Sequence, residues 1–214
     1  TQNRVIALFR DELGYRFLGD WTDRANSNID ENLLAAWLAR RGHGKEHIAV
    51  ALHKLRTEAG HHDRSLYGNN QAVYGLLRYG VPAKTEAGKT TETVHLIDWQ
   101  HPEQNDFALA EEVTLKGGHE RRPDLVLYLN GIAVGVIELK SSRVSIGDGI
   151  RQLLSNQQKE FNEWFFATVQ IVFAGNDSEG LQYGAIGTSE KMFLKWKEDE
   201  ADNSRFKLDK YLLK

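Results

Sequence analysis

The chain has no cysteine. That excludes disulfides and thiolate-bound metals, and it fits a reducing compartment such as the cytoplasm. Nor is there an apolar run approaching the roughly 20 residues that a membrane helix needs, so no membrane partner is expected. The opening TQNRVIALFRDEL carries acidic residues and no small-residue cleavage pattern, unlike a secretion signal. Three prolines in 214 residues are too few to mark a linker. A basic excess is also missing: 27 Lys and Arg stand against 30 Asp and Glu, a formal net charge of −3. Nucleic-acid binding by bulk charge is therefore excluded, and any such contact must come from local patches or from a larger assembly. What is present, 41% hydrophobic and 27% charged residues, describes a globular chain able to bury a core. One domain is the simplest reading of this length. The start at Thr1 and the end in FKLDKYLLK suggest a piece of a longer protein.

Hydrophobic spacing predicts helices over residues 2–13, over IDENLLAAWLARR with Asn28 as its cap and Gly42 as its stop, over 45–59, and over 70–78 before Gly80. The period then changes. ETVHLIDW and DFALAEEVTLK alternate as strands do, and RPDLVLYLNGIAVGVIELK (122–140) reads as a hairpin about Asn130-Gly131. A helix is expected from Gly147 to about Trp164, followed by strands at ATVQIVFAG and LQYGAIGT and a charged, partly helical tail. The sum is an α/β domain with a mixed central sheet flanked by helices. Its helical part would occupy about 1–80 and its sheet core about 92–190.

The hairpin poses the functional question, because a greasy strand pair keeps Asp124 near one end and Glu138 and Lys140 at the other. A regular two-residue turn sets Leu129 opposite Ile132 and, carried along, Asp124 opposite Ile137. The two carboxylates then lie on opposite faces and cannot share a ligand. A three-residue loop with Gly131 in a bulge moves Glu138 to the face of Asp124, as its diagonal neighbour, with Lys140 two residues on. We expect that bulge, or another irregularity of one residue. If they converge, the two carboxylates and a backbone carbonyl between Glu138 and Lys140 suit Mg²⁺, with Mn²⁺ as a substitute. Such an ion acidifies water and stabilises charge on a phosphoryl oxygen. Lys140 could then hold the water or the phosphate, and Arg121, Arg122 and Arg143 could grip neighbouring phosphates. The bland alternative is a surface ion pair at a sheet edge, with Lys140 neutralising Glu138.

Asp124, Glu138 and Lys140, followed by a helix bearing Gln152, resemble the PD-(D/E)xK nuclease motif. The wider order LRYGV, LIDW, NDFALAEEVTL, RRPDLVLYLNGI, GVIELK, GIRQ, NQ and AGND is similar to the N-terminal nuclease domain of the type I restriction enzyme motor subunit. The resemblance covers roughly residues 4–198. It implies a restriction-endonuclease-like core and Mg²⁺-dependent cutting of double-stranded DNA inside an assembly with methylation and specificity subunits. It also implies an ATP-driven translocase in the same polypeptide, outside these residues. By the same resemblance Asp124 and Glu138 ligate the metal, Lys140 and Gln152 complete the catalytic set, and Glu31 on an early helix is a candidate third metal ligand. Arg151, beside Gln152, joins the candidate phosphate contacts. The family's Q-xxx-Y element is incomplete, because Asn156 stands where the tyrosine would be. Two other readings remain: a non-catalytic module that docks DNA or the methyltransferase on a nuclease fold, and a stand-alone repair nuclease.

Other signals carry less. AKTEAGKT (83–90) nearly matches a phosphate-binding loop but has Ala83 where the first glycine belongs. Gly42 and Gly44, on either side of His43, break the helix that would aim His43 and His47 at one metal. Trp164, Phe165 and Phe166 read as core. The tail from Lys195 to Lys214 reads as a solvated face or the start of a connector.

Overall fold

A computed structural model of the chain describes residues 1–85, 90–196 and 207–213. Helix α1 (Gln2–Asp11) leads into strand β1 (Arg16–Asp20). Three helices follow, α2 (Glu31–Arg40), α3 (Lys45–Ala59) and α4 (Leu66–Tyr79), and then a ribbon of β2 (Val81–Ala83) and β3 (Glu92–Val94). The rest comprises β4 (Phe107–Glu111), β5 (Leu125–Leu129), β6 (Ile132–Leu139), α5 (Ile146–Asn156), α6 (Glu163–Phe166), β7 (Ile171–Asn176), β8 (Gly180–Gly184), β9 (Leu194–Lys195) and α7 (Lys207–Leu212).

Among the described residues, seven strands form one sheet in the order β1-β4-β5-β6-β7-β8-β9. The pairs β1–β4 and β6–β7 are parallel and the other neighbours antiparallel. Parallel strands cannot be joined by a tight turn, and α5 and α6 supply the crossover between β6 and β7. This is the mixed α/β sheet flanked by helices that the periodicities predict.

Alternation along the strands sorts side chains into two layers. One face presents Val126, Tyr128, Ala133, Val136, Val172 and Ala174 to Ile146, Ile150 and Leu153 of α5 and to Phe165 and Phe166. The other presents Leu109, Leu125, Ile137 and Phe173 to Val5, Ile6 and Phe9 of α1 and to Leu208 and Tyr211 of α7. A third core joins α2, α3, α4 and the ribbon, and Ile132 and Ala167 tie it to the sheet. Each fully buried Leu, Ile or Phe in these layers contributes about 1.5–3 kcal/mol relative to exposure.

Several boundaries differ from the sequence reading, each for a local reason. The cap of α2 is Asp30, whose carboxylate accepts the Leu33 N–H at 3.1 Å, while Asn28 is buried and donates to the Trp164 carbonyl at 3.0 Å. Ser65 starts α4 a turn earlier than expected by accepting the Gly68 N–H. The long helix expected to reach Trp164 stops at Asn156 and resumes as the short α6. Strand β3 is brief because Asp98 accepts the N–H groups of Gln100 and His101 and folds that stretch into a turn. Strand β4 ends where Glu112 adopts φ 50°. Strands β1, β2 and β9 have no counterpart in the sequence reading. The helical part is also narrower than 1–80, since α1 and β1 belong to the sheet layers. The tail is not simply solvated: α7 buries Leu208 and Tyr211, and Asp209 pairs with Arg4 at 2.7 Å. Of the AKTEAGKT stretch, Ala83 closes β2 and residues 86–89 lie outside the described residues.

Candidate functional site

The hairpin of β5 and β6 solves its parity problem in an unexpected place. Asn130 and Gly131 both have positive φ, 54° and 88°, and form a two-residue turn with Leu129 opposite Ile132. The three-residue loop is therefore absent. The ladder slips further along instead: Tyr128 faces Ala133 but Leu127 faces Gly135, which leaves Val134 as a one-residue bulge. Beyond it Leu125 faces Ile137, and the continued register sets Asp124 directly across from Glu138. The irregularity of one residue is present, and it puts both carboxylates on the α5 face.

Four side chains meet there. Asp124 accepts the Leu139 N–H at 2.6 Å, so its carboxylate takes over where the backbone ladder of β5 stops. Lys140 Nζ donates to Glu138 Oε1 at 3.0 Å and to Gln152 Oε1 at 2.6 Å. Gln152 arrives on α5, whose start is fixed twice: Ser145 Oγ accepts the Gly147 N–H and Glu179 accepts the Ile146 N–H at 2.9 Å. Gly149 makes room on that helix. A β-carbon there would stand 3.3 Å from the Ala174 methyl and 3.5–3.6 Å from the Lys140 stem.

The electrostatics are those of crowded acids. Glu138 is 1% exposed, and its Oε2 has no hydrogen-bond partner. Burial, then the neighbouring Asp124 charge, push its carboxyl up to about 7 against the pull of Lys140. Burial also raises Asp124, with Glu112 adding repulsion and the Leu139 N–H and Lys140 opposing. A surface ion pair at a sheet edge does not describe this: Glu138 lies inside, with one whole carboxylate oxygen receiving no donor. A divalent cation fits the deficit, because two converging carboxylates with one orphaned oxygen offer hard ligands and excess negative charge.

Other candidate residues lie elsewhere or are engaged. Glu31 does not reach the cluster. Helix α2 packs through Leu34, Trp37 and Leu38 into the third core, which leaves Glu31 paired with Arg56 at 2.9 Å. Among the described residues, no group of three or more His, Cys, Asp or Glu side chains is placed to hold one ion, so any cation here rests on two carboxylates. Arg122 pairs with Glu112 at 2.8 Å, Arg151 pairs with Asp148 and Glu190, and the Arg121 guanidinium lies 4.1 Å from the Phe161 ring centre. Arg143 is exposed and has no acidic partner among the described residues. Asn156, in the place of the motif tyrosine, is fully buried with neither amide atom hydrogen-bonded. The sequence reading missed Glu112, whose charge bears on Asp124, and Gly149, whose spacing of three from Gln152 on one helix was the available signal.

A profile of the type I restriction enzyme R protein N terminus matches residues 1–191. The chain belongs to this family. Similar proteins include the "Putative type I restriction enzyme MjaIXP endonuclease subunit" of Methanocaldococcus jannaschii, 26% identical over 166 residues, which covers 74% of this chain and 16% of that protein. Another is the type I restriction enzyme HindI endonuclease subunit of Haemophilus influenzae, 26% identical over 145 residues, covering 65% of this chain and 14% of that protein. The chain thus spans about one-sixth or less of the relatives it matches. The family region includes the whole hairpin and α5, so the four converging side chains all lie within it. Among the described residues no helix is long and apolar enough to cross a membrane.

Proposed function

We propose that this domain cuts double-stranded DNA with a divalent cation, as the nuclease part of a cytoplasmic type I restriction motor subunit. The observation that carries the reading is the bulge at Val134, which sets Asp124 against Glu138 with Glu138 Oε2 unsatisfied. Asp124 and Glu138 would hold the cation, Mg²⁺ or Mn²⁺ in its place. Bound there, it would supply Lewis-acid stabilisation of the phosphoryl oxygens and an acidified water.

The chain's own residues do the rest. Lys140 Nζ, already aligned by Glu138 and Gln152, carries a third proton donor for a phosphate oxygen. Gln152 spends its carbonyl on Lys140, which leaves its amide N–H groups to hold a second oxygen. Arg143 is available to a neighbouring phosphate at once, whereas Arg122 and Arg151 must first exchange carboxylate partners. ATP use, translocation, and the methylation and specificity subunits belong in this proposal to the remainder of the longer polypeptide and its assembly.

The test is substitution in the whole enzyme. Asp124→Ala, Glu138→Ala and Lys140→Ala should each lower cutting by about 10³-fold or more, the usual scale for losing a transition-state stabiliser, while translocation continues. Calorimetry of the 214-residue chain with Mn²⁺ and a short duplex should show saturable binding that Asp124→Ala removes. Cleavage retained in all three variants would sink the assignment.

A further inference from the structure

The Asp124 cluster uses none of the residues around a cavity of about 520 Å³ on the helical side of the molecule. Its walls include Trp37, Arg41, Arg78, His95, Trp99 and His101. Both indoles are held through their N–H groups: Trp37 donates to the Gln104 carbonyl at 3.0 Å and Trp99 to the Leu77 carbonyl at 2.8 Å. With the polar edges spent on backbone, the rings offer a ligand only their faces. Trp37 is 3% exposed and Trp99 is 49% exposed, so Trp99 is the accessible platform. The Arg78 guanidinium lies 5.3 Å from its ring centre and has no carboxylate partner among the described residues. Arg41 is neutralised by Asp98 at 2.5 Å, which leaves Arg78 as the available positive charge at the mouth.

A ligand that satisfies both features is flat, aromatic and anionic. The volume lies in the range of small-molecule sites. A second observation points to a strand rather than a free molecule. On α4 the exposed positions Tyr67, Gln71, Tyr74 and Arg78 follow one another at helical spacing, so they form a stripe with two open aromatic rings that ends at the Trp99 platform. Alternating aromatic faces and cationic groups are how proteins hold unpaired nucleic acid.

We propose that the Trp37–Trp99 cavity binds one nucleotide of a single-stranded nucleic acid, its base stacked on Trp99 and its phosphate on Arg78, with Tyr74 and Tyr67 carrying the strand onward. This site is separate from the carboxylate cluster and needs no metal. Binding in EDTA that depends on Trp99 and Arg78 therefore reports on this site, whatever becomes of the cleavage proposal.

Anisotropy of a labelled oligothymidylate of about ten nucleotides tests it, with the 214-residue chain in EDTA. Binding is expected in the wild type, weakened about tenfold or more by Trp99→Ala, the scale of one lost base–aromatic stack. Arg78→Glu, at an exposed position that leaves the core intact, should weaken it comparably, and Trp99→Phe should retain most of it. Deoxyadenosine monophosphate added as competitor separates two sources of the same chemistry. Displacement means that a free nucleotide suffices, and resistance means that the strand is required; either supports the site. No binding by the wild type, or equal binding by the wild type and Arg78→Glu, would overturn it.

Discussion

The two ends of one hairpin treat buried polar groups in opposite ways. At the turn, Asn130 is fully buried and every polar atom of its side chain is used: its amide donates to the Leu96 carbonyl and to Asn105, and its oxygen accepts the Asp106 N–H. Its backbone N–H reaches the Asp106 carbonyl, and Gly131 accepts the Asp30 N–H at 2.8 Å. At the open end Glu138 is as deeply buried but keeps one oxygen unpartnered beside a second carboxylate. Complete satisfaction marks an anchor, here the joint between the sheet and α2. Incomplete satisfaction on a rigid strand marks a place that gains from a missing partner.

The sharpest test of the contrast is at the turn. Asn130→Ala would strand the buried Leu96 carbonyl and the half-buried Asp106 N–H and put alanine at positive φ, so it should cost about 3–5 kcal/mol in denaturant unfolding. A loss below about 1 kcal/mol would erase the distinction between the two ends.

The open end should respond in the other direction. A carboxyl raised from 4.5 to about 7 binds its proton more tightly folded than unfolded. Its stabilising contribution is complete below pH 4.5 and is lost as pH rises through 7, on the order of 3 kcal/mol in all. Glu138→Gln should flatten that fall, leaving the variant more stable than the wild type at pH 8 in EDTA. Mg²⁺ should then raise the melting temperature of the wild type at pH 8 and do little for the variant. A parallel pH dependence in the two proteins would show that Glu138 carries no such strain.

The smallest effect is expected beside the cluster. Gly149→Ala places a methyl 3.3 Å from that of Ala174, so α5 must give by a few tenths of an ångström; it should cost about 1 kcal/mol or less in stability and slow cutting several-fold by shifting Gln152 against Lys140. Single-turnover cleavage rates would read it, and an unchanged rate would free Lys140 from any dependence on that contact.

Much of this was legible in the sequence where one principle acted alone. The helix over 45–59 follows from spacing, and Asn-Gly between apolar runs announces the hairpin. The convergence of Asp124 and Glu138 was legible as a requirement for one irregular residue. Its location was not, because IAVGV is apolar at every position: with both faces of β6 buried, no polar residue reports the slip at Val134. Glu31 misled because its neighbours are decided by how α2 packs, which its own sequence does not record. The end of the helix at Asn156 was hidden for the converse reason, since NQQKEFN contains no proline or glycine to stop it.

The bulge also determines what kind of mutation the hairpin can absorb. Strand pairing counts whole residues, so no gradual path leads from the observed pairing to one with Glu138 facing α1. Substitutions at Val134 change a half-buried side chain and leave the count intact. A single deletion between Tyr128 and Glu138 that closes the bulge turns Glu138 to the opposite layer and separates the acids. At this point in the chain, length is the heritable quantity, and the identity of the residue that supplies it is secondary.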